Sequence, residues 1–195
     1  MPAINQITGI INAAFISGHF GSRRFQPSRF SQVADVIKVR NDNEAEYTIP
    51  TIIDNTGEGS ELVYNDKYSC QCYHRLLKPS YPRAEPDYGV PGSTMEETAE
   101  MKLVFMADRS QVLQRPEDIM AAVVYDIPKE LTPTQIASLN ITSCIIELGD
   151  IEHNPYDVFF SEWGGRDYDL TTSSILFALN YKIITTYNSC FVICP

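Results

Sequence analysis

The residues best suited to chemistry lie in Cys70-x-Cys72-x-His74. Thiolates and an imidazole are the ligand types that hold zinc in a tetrahedral site. On a strand, positions two apart point the same way, so these three side chains are expected to line one face. Cys190 and Cys194 supply two further thiols. Paired zinc cysteines usually sit two to four residues apart on a turn, where both sulfurs reach one ion; same-face strand positions diverge. Tyr68, Cys70 and Cys72 equally suit a buried sheet face. The reading adopted is a packed face with His74 at its rim and no metal. A zinc-stabilised binding module centred on Cys70, Cys72 and His74 is the alternative.

A cysteine nucleophile needs a base that meets it in space, and His19, His74 and His153 are the three histidines. No cysteine falls at a strand-to-helix elbow or an expected helix N-terminus, the settings that lower a thiol's pKa, so cysteine catalysis is not expected. Glu147, Asp150, Glu152 and Asp157, then Glu162, Asp167 and Asp169, offer carboxylates for a divalent cation or for acid–base work. A metal-dependent hydrolase with its site near 147–169 is a second alternative; a solvated acidic face is the expectation. Gly18-His-Phe-Gly21 and Gly57-Glu-Gly59 are too short to cradle a phosphate, and neither opens a helix. No catalytic, cofactor-binding or metal residue is assigned, and the chain is not expected to be an enzyme.

The elements that would position these residues follow from hydrophobic spacing. Residues 3–17 place Ile4, Ile7, Ile11, Ala14 and Phe15 on one helical face, and Ser17-Gly18 ends the helix. Residues 18–32 form a loop in which Arg23, Arg24 and Arg29 interleave with Phe20, Phe25 and Phe30. That loop is expected to wrap over a surface, its own or a partner's. Strands are expected at 33–39, 47–53, 61–64 and 68–77, with a hairpin tip at 55–60. Pro50 inside the second run suggests an edge strand or a bulge. Residues 78–94 hold Pro79, Pro82, Pro86 and Pro91 and read as an extended arm.

Residues 98–107 alternate as a strand with both faces at least partly covered. A helix follows from Pro116, with Glu117 and Asp118 at its positive end, a buried stripe of Ile119, Met120, Val123, Val124 and Ile127, and Pro128 as its stop. Thr132-Pro133 opens a short helix to Leu139. A strand over 141–151 puts Cys144, Ile146 and Leu148 on one face, a long strand covers 174–187, and a last one covers 190–194. Three helices among about seven strands give a single α+β domain over 1–195. Its sheet is expected to be mainly antiparallel, with two or three helices packed on one face. The second half has room for one crossover helix between parallel strands.

The 195 residues carry a net charge of −10, which argues against a generally basic nucleic-acid surface. The charge is uneven. Residues 1–40 hold five basic and one acidic residue, a net of +4; 41–130 hold eight and seventeen, a net of −9; 131–195 hold two and seven, a net of −5. A basic, Phe-studded N-terminal segment on an acidic body suits docking between copies in a heterologous, ring-forming contact, or folding back on its own body. No basic stretch leads into an apolar run at the N-terminus, and no apolar stretch nears the ~20 residues of a membrane span. A soluble protein made in a cytoplasm, with reduced and mostly buried thiols, is expected.

The strand at Met101–Ala107, the helix at 116–127 and the long strand beginning Leu176-Phe-Ala-Leu-Asn-Tyr-Lys-Ile-Ile-Thr-Thr resemble, in their order, small neck proteins of tailed bacteriophages. The likeness is to head–tail connector and tail-terminator proteins, including ring proteins of crAss-like phages, and it covers residues 98–187. It implies an α+β subunit of a homomeric ring in the virion. Such a ring surrounds the DNA channel, touches neighbouring neck, portal or tail rings, and carries no catalytic residues or cofactor. An acidic lumen would let DNA pass without sticking, because phosphate and carboxylate repel. The 40–97 insertion and the cysteine-rich C-terminus depart from the family's compact pattern.

Overall fold

The computed structural model describes residues 2–21, 25–28, 33–39, 46–53, 59–61, 68–79, 94–112, 114–154, 157–158 and 174–188. The order is α1 (Pro2–Ser17), β1 (Phe25–Ser28), β2 (Val33–Val39), β3 (Glu46–Ile53), β4 (Gly59–Glu61), β5 (Cys70–Pro79), β6 (Thr94–Asp108), α2 (Pro116–Asp126), α3 (Pro133–Leu139), β7 (Ser143–Glu152) and β8 (Ser174–Asn188). It is an α+β fold with a mainly antiparallel sheet, as the spacing predicts.

The main sheet has the order β1-β5-β6-β8-β7. Its spine is the β6–β8 pair, matched rung by rung from Thr94↔Asn188 to Asp108↔Ser174. β8 runs antiparallel to both β6 and β7, so β6 and β7 run parallel with β8 between them. The chain between them, α2 and α3, is therefore the crossover connection that parallel strands require. A second sheet, β2-β3-β4, is antiparallel throughout.

Alternation divides the two faces of the main sheet. Met101, Leu103, Phe105 and Ala107 of β6 meet Ile175, Phe177, Leu179, Tyr181 and Ile183 of β8 on the helix-bearing face. α1 covers that face because Ile4, Ile7, Ile11 and Phe15 recur at helical spacing and are fully or almost fully buried there. Each such side chain contributes about 1.5–3 kcal/mol on leaving water. α2 adds Ile119, Val123 and Ile127 to the same core. Aromatic rings tie the layers together: Phe15 meets Phe20 edge-on at 6.0 Å, Phe20 meets Phe105 at 5.1 Å, and Phe105 stacks on Phe177 at 5.2 Å. The other face also buries Tyr73, Val104, Met106, Leu176 and Ala178, so both faces of β6 are covered as expected.

Local chemistry sets the helix ends. Pro116 opens α2, with Glu117 and Asp118 in the first turn. Thr132 and Gln135 form a reciprocal capping box on α3: the Thr132 hydroxyl accepts from the Gln135 amide, and Gln135 Oε1 accepts from the Thr132 amide. Asn140 ends α3 in the left-handed region at φ 53°.

Several expectations need correction. β3, which contains Pro50, is the central strand of its sheet and not an edge. Among the described residues, β4 pairs with Thr51–Ile53 and not with Pro50, which leaves the proline beyond that pairing. Gly59 and Ser60 belong to β4 and not to the hairpin tip, and 62–64 lie outside the described residues. The described strands number eight, close to the expected count, and β1 is the one that no expected range covered. The 18–32 loop is not wholly irregular, since Phe20 is buried in the chain's own core and Phe25–Ser28 add to β5 as a parallel strand. Of the expected 78–94 arm, Lys78 and Pro79 belong to β5 and Thr94 to β6, while 80–93, like the expected last strand at 190–194, lie outside the described residues.

Phe105 lies at the centre of the aromatic stack, between Phe20 and Phe177. Phe105→Ala should lower stability by about 3–5 kcal/mol, whereas Thr132→Ala should cost about 1 kcal/mol through the lost cap. Urea titration checks both. A Phe105→Ala midpoint no lower than that of Thr132→Ala would contradict this packing.

Candidate functional site

Cys70, Cys72 and His74 share the helix-bearing face of β5, as their spacing predicts. His74 is not at the rim. It is fully buried, because α1 lies over it and brings Asn12 within reach. His74 Nε2 is 2.9 Å from Asn12 Oδ1, and Nδ1 is 2.8 Å from the Tyr181 hydroxyl. Asn12 Oδ1 only accepts, so Nε2 carries the proton and Nδ1 accepts from the Tyr181 O–H. The Cys72 thiol also donates to Asn12 Oδ1, at 3.7 Å.

Burial lowers the His74 pKa to about 3, so the ring is neutral, as its two hydrogen bonds require. Burial, then the neighbouring Cys72 sulfur, holds the Tyr181 phenol well above its usual range. Cys144 is also buried, and its thiol is pushed up to about 11. That is the opposite of what activates a nucleophile. Cys70, Cys72 and Cys144 are all buried. Cys190 and Cys194 lie outside the described residues.

The other histidines are placed apart. His19 follows α1 and clasps the end of α2: its amide donates to Asp126 Oδ2 at 2.8 Å, and its Nδ1 lies 2.7 Å from Asp126 Oδ1. Gly18 permits this approach, since a Cβ there would stand 2.5 Å from the same carboxylate. The Tyr125 ring packs edge-on against His19 at 5.5 Å. His153 lines a cleft of about 570 Å³ beside Arg109, Pro116 and Phe177.

Among the described acidic residues, Glu147, Asp150, Glu152 and Asp157, none joins a group of three that could hold a metal ion. Glu152 accepts from Lys102 Nζ at 3.1 Å and from the Asn180 amide at 2.9 Å. Burial alone would raise its carboxyl, but those two hydrogen bonds and the ammonium charge outweigh burial and bring it below the usual range. Glu147 stands opposite Lys182 in the β7–β8 register, and Asp150 is exposed. Asp157 accepts from Asn154 Nδ2 at 2.9 Å. Glu162, Asp167 and Asp169 lie outside the described residues. Lys102, Glu147, Glu152, Asn180 and Lys182 line a second cleft of about 570 Å³, where the β7 register breaks between Leu148 and Ile151. Gly149 fits that break, because a Cβ there would lie 3.0 Å from the Asn180 carbonyl oxygen. Among the described residues, no three His, Cys, Asp or Glu side chains are grouped to hold a metal ion.

Spacing alone missed Asn12, Tyr181, Lys102 and Asp126 as partners. Asn12 had one visible signal: with Thr8, it is polar within the apolar stripe of α1. No protein-family model and no curated protein matches the chain.

The neutral His74 makes stability depend on pH. The folded pKa of about 3 lies below the unfolded value of 6.5, so between these values the unfolded chain binds more protons. Stability from this residue is intact above pH 6.5 and falls by about 1.4 kcal/mol per pH unit as pH drops below it. Denaturant titrations of wild type and His74→Gln between pH 7 and pH 5 isolate this slope. Equal slopes in the two proteins would rule out a neutral, buried His74.

Proposed function

We propose that this chain is a structural virion protein, a subunit of a homo-oligomeric ring in the neck of a tailed bacteriophage with a connector or tail-terminator role. One observation carries the reading. The side chains best suited to chemistry are engaged in joining elements: His74 links α1 to β5 and β8 through both ring nitrogens. Two further pairs do similar work. His19–Asp126 ties the end of α1 to α2, and Lys102–Glu152 bridges β6 to β7 across β8. A subunit that acts by shape needs this kind of rigid, cross-tied body.

The segments that resemble neck proteins support the same reading, because they form one unit. β6 and β8 are paired along their full length, and α2 packs on the face they share. A ring of such subunits would surround the DNA channel and contact adjacent neck, portal or tail rings. Its excess negative charge would keep DNA from adhering to the lumen.

Multi-angle light scattering and negative-stain electron microscopy of the purified chain test the proposal. A mass several times that of the subunit, in annular particles, is expected. A strict monomer that stays monomeric as concentration is raised would overturn it.

A further inference from the structure

The main sheet ends in two strands of opposite electrostatic setting. β1 is one terminal strand, and Arg23, Arg24 and Arg29 lie within two residues of its ends in sequence. β7 is the other terminal strand, and it carries Glu147 and the exposed Asp150, with Glu152 already paired to Lys102. The first half of β7's outer edge is occupied: the Ile146 amide donates to the Lys129 carbonyl at 2.8 Å, and Glu130 bridges to Ile145. From Glu147 onward, no described strand pairs with that edge. Beside it, Ile145 is 45% exposed, a large apolar side chain two residues from Glu147 and on the same face of the strand.

We infer that the β7 edge from Glu147 to Asp150, with the exposed Ile145 side chain beside it, is the docking surface for the basic, Phe-bearing segment at residues 22–30 of a second copy of this chain. The inference rests on the ring reading and names its contact. An acidic edge with an apolar side chain beside it complements a segment in which arginines alternate with Phe25 and Phe30. β1, the described part of that segment, and β7 are the two end strands of one sheet. Joining one to the other therefore repeats head to tail, the heterologous geometry that closes into a ring. A two-fold contact between β7 edges would instead set carboxylates against carboxylates and is disfavoured.

Charge reversal tests this with the full chain. Glu147→Lys with Asp150→Lys, and separately Arg24→Glu with Arg29→Glu, should each weaken self-association by about tenfold or more, read by sedimentation velocity over a dilution series. The four substitutions combined restore opposite charges across the contact and should restore assembly. Circular dichroism confirms that each variant is folded; should the Lys pair not fold, Glu147→Gln with Asp150→Asn serves in its place. If wild type assembles and the reversals leave its mass unchanged, the docking surface is wrong while the ring reading stands. If the combined variant stays dissociated, the pairing of these two surfaces is wrong. If wild type never associates, both readings fall.

Discussion

The described fold depends on burying an imidazole without its charge. His74 sits where α1 closes over the sheet, and no water-facing position is left for it. An unpaired polar ring there would cost about 1–3 kcal/mol for each unsatisfied group. The surrounding residues meet both nitrogens: α1 supplies Asn12 as acceptor, and β8 supplies Tyr181 as donor. Each contact joins parts of the chain more than 60 residues apart in sequence. Hydrophobic burial would hold α1 against the sheet in many nearby registers. The directional pair at His74 selects one of them, because sliding α1 by a turn would leave Asn12 and the ring both unsatisfied.

The sheet order explains how Tyr181 reaches this site. His74 is opposite Leu103, and Leu103 is opposite Leu179, so Leu179 is level with the imidazole. Tyr181 is the next same-face position along β8, long enough to reach diagonally across β6. The ring-to-ring distance of 5.9 Å, with the planes near perpendicular at 76°, puts the phenol edge against the imidazole. Lys102 and Glu152 use the same device on the opposite face, spanning β8 from β6 to β7. The long central strands are therefore tied by side chains as well as by their backbone ladder.

Much of this architecture was legible in the sequence. The stripe of Ile4, Ile7, Ile11 and Phe15 gave α1; Pro116 and Thr132 gave the starts of α2 and α3; alternation gave β6 and β8. These signals are local, and local periodicity reports them directly. The pairing that brings Tyr181 to His74 is not local. It follows from strand order, which no spacing within β5 or β8 encodes. His74 read as a rim residue because burying a histidine is costly unless partners arrive from elsewhere, and its partners lie in α1 and β8. β1 escaped notice for a similar reason. Four residues containing Pro27 form a strand only because β5 offers them an edge.

The two terminal strands limit how another chain could add to the sheet. Exposed sheet edges invite strand addition by any extended chain, and proteins blunt them with proline, charge or irregular backbone. β1 contains Pro27, which lacks an amide donor. β7 has a register break, Gly149 at that break, and three carboxylate-bearing residues along ten. Lys129 and Glu130 occupy part of what remains. A continuous backbone ladder from one copy to the next is therefore obstructed on both sides. Association at these edges must rely on side-chain charge and on the few apolar groups beside it. Such contacts weaken with added salt and distinguish partners by sign, whereas a backbone ladder accepts any strand. The proposed contact between copies would use that sign, since carboxylates line β7 and arginines flank β1 in sequence.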